Sequence, residues 1–158
     1  MRAEEREPGL RPARSADYAA IAEWVPDAEA CARWAGPRLP FPFRADELET
    51  LLAMPGAASW CLAVGDGPPC GFGQHWVRTP GAVHLGRIIV APERRGRGLG
   101  RLLCRQLVAA AVEASGAGVV TLRVYRDNRR AAELYRSLGF VPVESESTPE
   151  VFSMRLPV

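Results

Sequence analysis

Residues 88–103 read IIVAPERRGRGLGRLL, two apolar runs around a turn in which Arg94, Arg95, Arg97 and Arg101 are spaced by Gly96, Gly98 and Gly100. Two readings compete for this turn. A basic, glycine-spaced segment binds polynucleotide through its charge alone. The same residues between a strand and a helix build an anion site, because the first amides of a helix lack internal partners and its dipole adds roughly half a positive charge. The flanks favour the second reading. VHLGRIIV (83–90) upstream is a β-rich apolar run, and from Leu99 to Ala114 downstream Leu102, Leu103, Gln106, Leu107 and Ala110 share one helical face.

The same signals organise the rest of the chain. SWCLAV (59–64), CGFGQHWV (70–77) and VHLGRIIV, joined by GDGPP and TPGA turns, predict a three-stranded meander. VVTLRVY (119–125) reads as a buried strand and RRAAELYRSLG (129–139) as a helix closed by Gly139, with strands at FVPV (140–143) and VFSMRLPV (151–158) following. Before the meander come an edge strand at LRPA (10–13) and a helix over ADYAAIAEW (16–24), capped by Ser15 and stopped by Pro26. A second helix runs from Asp27 to the Gly36-Pro37 breaker, RLPFPF (38–43) is extended, and ADELETLLA (45–53) is a third helix. This order predicts the α/β class, with helices around a mixed sheet.

Composition narrows the function classes. At 158 residues, 47% hydrophobic and 24% charged, the chain fits one globular domain over 1–158, with residues 1–9 a charged, mobile tail. No apolar stretch nears the roughly 18 residues that span a bilayer, and MRAEEREPGLRPAR has no apolar signal core, so no membrane partner and a cytoplasmic location are expected. Cys31, Cys61, Cys70 and Cys104 show no ligand spacing, which points to buried reduced thiols and no metal. A net charge of +2 gives no general reason to expect nucleic acid. All 20 basic residues are Arg and Asn occurs once, the composition of a GC-rich genome; under that bias Asn128 points to a chemical need.

The turn is not a Walker A loop, since no Lys-Ser/Thr closes it, and GxGxG is not the dinucleotide fingerprint GxGxxG. Arg95-Gly96-Arg97-Gly98-Leu99-Gly100 does fit R/Q-x-x-G-x-G/A, and after IIVAPE it resembles the acetyl-CoA pyrophosphate loop of the GNAT superfamily of N-acyltransferases. Asn128, Ala131, Leu134, Tyr135, Leu138, Gly139 and Phe140 are similar to that superfamily's following helix, and the likeness is strongest over residues 58–156. The resemblance implies a mostly antiparallel central sheet whose fourth and fifth strands splay apart, flanked by helices. The co-substrate it implies is acetyl-CoA. Backbone at Ile88, Ile89 and Val90 would meet the pantetheine arm and polarise the thioester, and Arg95, Gly96, Arg97, Gly98, Leu99, Gly100 and Arg101 would hold the pyrophosphate.

Asn128 would touch the pantetheine or cap the next helix; both roles stay open. Tyr135, seven residues on and two helical turns down the same face, would protonate the departing thiolate, being a phenol of pKa about 10 against a thiol near 8.5. His84 is the candidate base. It stands eleven residues before Arg95, where some members carry Glu or His, and strict alternation puts it on one face with Gly86, Ile88 and Val90, with His75 in reach through water. A water chain without a dedicated base is the alternative. The Glu that ribosomal-protein acetylating members carry five residues before the Asn is here Arg123. Trp24, Trp34, Phe41, Phe43 and Trp76 supply aromatic surface for an acceptor pocket or for the core, and Glu144, Glu146 and Glu150 form a solvated loop or attract a cationic amine. The function implied is acetyl transfer to a primary amine of a small molecule or peptide, with a non-catalytic coenzyme A sensor as the alternative. A homodimer stays open.

Overall fold

The computed structural model describes residues 6–158. Part of the expected tail, positions 1–5, lies outside the described residues, and Gly9 is already in the first strand, opposite Ala63. The strands are β1 (Gly9–Pro12), β2 (Ala58–Ala63), β3 (Pro69–Thr79), β4 (Ala82–Val90), β5 (Val119–Tyr125), β6 (Val141–Pro142) and β7 (Val151–Pro157). They form a sheet in the order β1-β2-β3-β4-β5-β7-β6, antiparallel except for β4 against β5. The helices are α1 (Tyr18–Glu23), α2 (Ala28–Ala35), α3 (Ala45–Leu52), α4 (Leu99–Ser115) and α5 (Arg129–Ser137). The α/β class with a mixed, mostly antiparallel sheet is therefore what the chain adopts.

Each sheet face carries its own core. On one, α4 and α5 cover Leu85, Val120, Leu122 and Met154; on the other, α1–α3 bring Ile21, Leu48 and Leu52 onto Phe72 and Ile89. Asp27 caps α2 by accepting the Ala30 amide at 2.8 Å, as its sequence position predicts. Ser15 does not cap α1. Its hydroxyl turns to Glu49 at 3.3 Å, and a 3-10 turn over Ser15–Asp17 leads into the helix, with Asp17 accepting the Arg14 amide at 2.7 Å. Asp17 also takes both ends of the Arg11 guanidinium, at 2.7 and 2.8 Å, which explains how a carboxylate only 5% exposed is tolerated.

Two backbone features shape the site. β4 and β5 are in register only at Ala82↔Val119, Val83↔Val120 and His84↔Thr121; beyond these pairs the strands part. Nearby, Gly71↔Val90 and Phe72↔Ile89 give way to Gln74↔Gly86, so Arg87 and Ile88 together stand opposite Gly73. This is a β-bulge, and Arg87 sits in it with φ 54°. The extra residue reverses the alternation. Val83 and Leu85 face α4, but past the bulge it is Ile88 that packs on that side, while Ile89 joins the α1–α3 core. The expectation that His84 shares a face with Ile88 and Val90 is thereby corrected.

Candidate active site

The arginine-glycine turn follows β4 through a 3-10 turn at Pro92–Arg94 and ends where α4 begins. Gly96 and Gly98 both have φ 79°, a conformation costing an L-residue roughly 1–2 kcal/mol, and Gly98 is the N-cap of α4. Among the described residues no amide from Gly96 to Arg101 donates to a backbone carbonyl; the first such bond is Leu102 to Gly98 at 3.2 Å. Six successive donors therefore stand free at the positive end of a 17-residue helix. No Cβ-blocking atom lies within 4 Å of Gly98, so the glycine serves the backbone conformation and not a packing contact.

This turn forms one end of a cleft of about 990 Å³, the upper end of what ligand pockets occupy. Of the residues expected to hold coenzyme, Ile88, Ile89, Val90, Arg95, Gly96, Gly98, Leu99, Gly100, Arg101 and Asn128 all line it. Arg97 is exposed and is not part of the lining. Of the two roles left open for Asn128 the structure shows the cap, its Oδ1 accepting the Ala131 amide at 3.3 Å at the start of α5; the residue also lines the cleft. Beyond His84 the β4 edge that faces β5 has no ladder partner, so an extended ligand arm could pair there as an added strand.

Tyr135 lies at the meeting of this cleft and a smaller cavity of about 90 Å³ between the parted strands. Its ring is buried edge-on against Phe140, 6.1 Å between centroids, and its hydroxyl has no protein hydrogen-bond partner among the described residues. Burial pushes the phenol pKa upward, so the hydroxyl is held protonated. Cys104 lies on the cleft wall, its thiol pushed up to about 12 by burial. All four cysteines are free and buried.

The histidines lie elsewhere. His84 is buried at the last β4–β5 pair, with Nδ1 2.7 Å from Thr121 Oγ1 and its ring 5.1 Å from Trp76, and it lines neither cavity. Burial first, and then the charges of Arg78 and Arg123, lower its pKa to about 4. His75 is directed away from His84, to the opposite sheet face, where its Nε2 accepts the Trp60 indole N–H at 3.0 Å; the two cannot be joined as expected. Alternation along β3 and β4 is the reason: His75 pairs with Leu85 and Trp76 with His84.

Of the aromatic candidates, Trp24 and Trp34 line the cleft. Phe41 and Phe43 instead pack on each other at 5.8 Å, and Trp76 packs against His84 with the rings tilted by 50°. Glu144 is paired with Arg126 at 3.0 Å, and neither it nor Glu146 nor Glu150 reaches either cavity. Sequence reasoning did not single out Arg33, Arg87 or Arg130 as wall residues. Arg33 arrives from α2, held by Asp127 at 2.6 Å over the Tyr125 ring, a contact across nearly a hundred residues that no local pattern announces. Trp34 keeps a buried indole N–H without a partner among the described residues.

Comparison with known proteins agrees with this geometry. Residues 22–140 match the family described as Acetyltransferase (GNAT) family. The chain is 34% identical over 92 residues to mycothiol acetyltransferase of Streptomyces coelicolor, covering 56% of this chain and 29% of that protein. It is 45% identical over 53 residues to an uncharacterized protein of Mycobacterium leprae, covering 34% of this chain and 14% of that one. The chain thus spans less than a third of either curated relative's length. In fold it is similar to spermidine N-acetyltransferase from Vibrio cholerae, solved with CoA and spermine, at TM-score 0.78 and 19% identity over 96% of this chain and 95% of that one. An aminoglycoside acetyltransferase in complex with coenzyme A gives TM-score 0.75 and 22% identity, over 95% and 94% of the two chains. With free helix amides, parted strands and a protonated phenol on one cleft, and a family match over most of its length, the chain belongs to the GNAT family of acetyltransferases.

Proposed function

We propose that the chain moves an acetyl group from acetyl-CoA to a primary amine of a small molecule or peptide by direct attack, both substrates being bound together in the cleft. One observation carries the reading: residues of the glycine turn with its unbonded amides, of the open β4 edge, and Tyr135 line the same cleft. Gly96 to Arg101 would hold the pyrophosphate, with Arg95 and Arg101 adding charge; the exposed Arg97 meets the diphosphate through its amide only. Backbone donors on the β4 edge would face the thioester oxygen, a contact contributing about 3–4 kcal/mol where such donors have been removed in other enzymes. The bound thioester supplies an activated acetyl group.

Tyr135 supplies the proton that the departing sulfur needs. Its raised pKa does not disqualify it, because burial keeps the phenol protonated and so able to donate, and the same desolvation disfavours the thiolate that would receive the proton. His84, the base expected from sequence, is given a positioning part: it ties β4 to β5 at Thr121, where the splay begins. The acceptor would lose its proton to solvent in the open cleft, the water route left open above. Four free buried thiols fit a reducing compartment, and among the described residues no helix is long and apolar enough to cross a membrane; a cytoplasmic enzyme is our reading.

The test is thiol release from acetyl-CoA over an amine panel, with calorimetry of coenzyme A binding alongside. Turnover with at least one amine, lost in Tyr135→Phe, is the expected result. Tight coenzyme binding with no amine turned over would instead mark a sensor, and absence of coenzyme binding would refute the reading at its root.

A further inference from the structure

We infer that the acceptor amine carries a carboxylate of its own, received by Arg87 at the bulge of β4 with Arg123 of β5 beside it. The inference rests on the transferase reading above and names its substrate class.

The small cavity between the parted strands shares Arg33, Trp34, Ile88, Asn128, Ala131 and Tyr135 with the large cleft, and so continues it beyond the reacting end. Its charged lining is Arg33, Arg87 and Arg123, with no Asp or Glu. Arg33 is already neutralised by Asp127 at 2.6 Å and Glu29 at 3.7 Å. Arg87 and Arg123 have no ion pair among the described residues. An ammonium-rich acceptor would meet only repulsion here, whereas a carboxylate would complete the charge balance.

Arg87 is also built for that task. One nitrogen, Nη1, is anchored by two neutral acceptors, Leu52 O at 3.1 Å and Gln74 Oε1 at 2.8 Å, and the guanidinium lies 5.9 Å from the Trp76 ring. The other edge, Nε with Nη2, has no hydrogen bond among the described residues and is not sealed from solvent. That edge is the fork that takes a carboxylate by two parallel bonds. The bulge presents this side chain at a cost, since φ 54° is a conformation an arginine rarely adopts.

The experiment measures kcat/KM for thiol release with glycine, β-alanine, γ-aminobutyrate, leucine and phenylalanine, each beside its carboxamide, together with spermidine and phosphoethanolamine. A carboxylate-bearing amine is expected to exceed its carboxamide by on the order of tenfold to a hundredfold, the range of a hydrogen-bonded charge. Arg87→Gln should erase most of that ratio, mainly through KM, and Arg123→Gln, at an exposed position that folding does not require, should reduce it less. Carboxamides or spermidine equal to or better than the acids would overturn the inference while leaving the transferase reading intact. Preference for phosphoethanolamine would replace carboxylate by phosphate and also overturn it. Silence from every amine overturns both readings together.

Discussion

Replacing Gly98 by alanine tests the glycine turn without adding a clash. The residue has φ 79° and ψ 6°, and a Cβ built there meets nothing within 4 Å, so the penalty is conformational alone. If α4 keeps its start, the variant is strained by roughly 1–2 kcal/mol, and asparagine, which tolerates this region better, by less. For a chain of this size that is a fall in Tm of about 2–8 °C, with Gly98→Asn between Gly98→Ala and the wild type. If the turn relaxes instead, strain disappears but the free amides of Gly96 to Arg101 lose their common aim. Then the stabilisation by coenzyme A, about 2.7 kcal/mol at a hundredfold excess over Kd for an intact site, shrinks. Thermal melts of the three proteins, with and without coenzyme A, separate the two cases. Gly98→Ala melting with the wild type and gaining the same stabilisation from coenzyme A would refute the assignment of the turn.

Three further outcomes are expected. Tyr135→Phe removes a hydroxyl that has no partner within the described residues, so it should leave the Tm near wild type while lowering kcat on the order of 10²–10⁴; a wild-type rate would remove Tyr135 as the proton donor. His84 titrates near 4 when folded against about 6.5 unfolded, so below pH 6.5 the unfolded chain takes up a proton that the folded one refuses. Stability falls by about 3 kcal/mol as pH drops from 6.5 to 4; His84→Gln should flatten that part of a urea-melt pH series, while a wild-type pH–rate inflection near 6.5 that vanishes in His84→Gln would restore the imidazole as base. Asp17→Ala strands the Arg11 guanidinium in the α1 side of the core and should destabilise by about 3–5 kcal/mol in urea, against little change for Asp66→Ala, whose partner Arg14 is exposed.

What sequence discloses here tracks how local the determining contact is. The glycine turn, the α4 start and the Asn128 cap are set by residues within a few positions of one another, and the structure builds them where the motif lies. The meander and the two sheet faces follow from alternation and turn chemistry, signals of similarly short range. Ser15 fails as a cap because Asp17, two residues on, holds the Arg14 amide and Glu49 of α3 takes the serine hydroxyl. The walls of the cleft are the other extreme: Arg33 comes from α2 to lie over the Tyr125 ring, and Trp34 lines the same cavity as Tyr135, which no spacing in the chain relates.

The bulge at Arg87 lies between these cases, and it decides the site. Nothing in RIIV announces it, since the residue with φ 54° is an arginine and not a glycine. Yet that single extra residue turns Ile88 toward α4, leaves His84 behind on the other face, and frees one edge of a guanidinium whose other side is pinned to Gln74 and Leu52. A strand read at strict period 2 puts a histidine beside the reacting strand end; the folded strand puts an arginine there. The chemistry expected at the acceptor end changes accordingly, from proton removal by an imidazole to anchoring of an anion by a fixed cation, and strain at one backbone position is what makes the exchange.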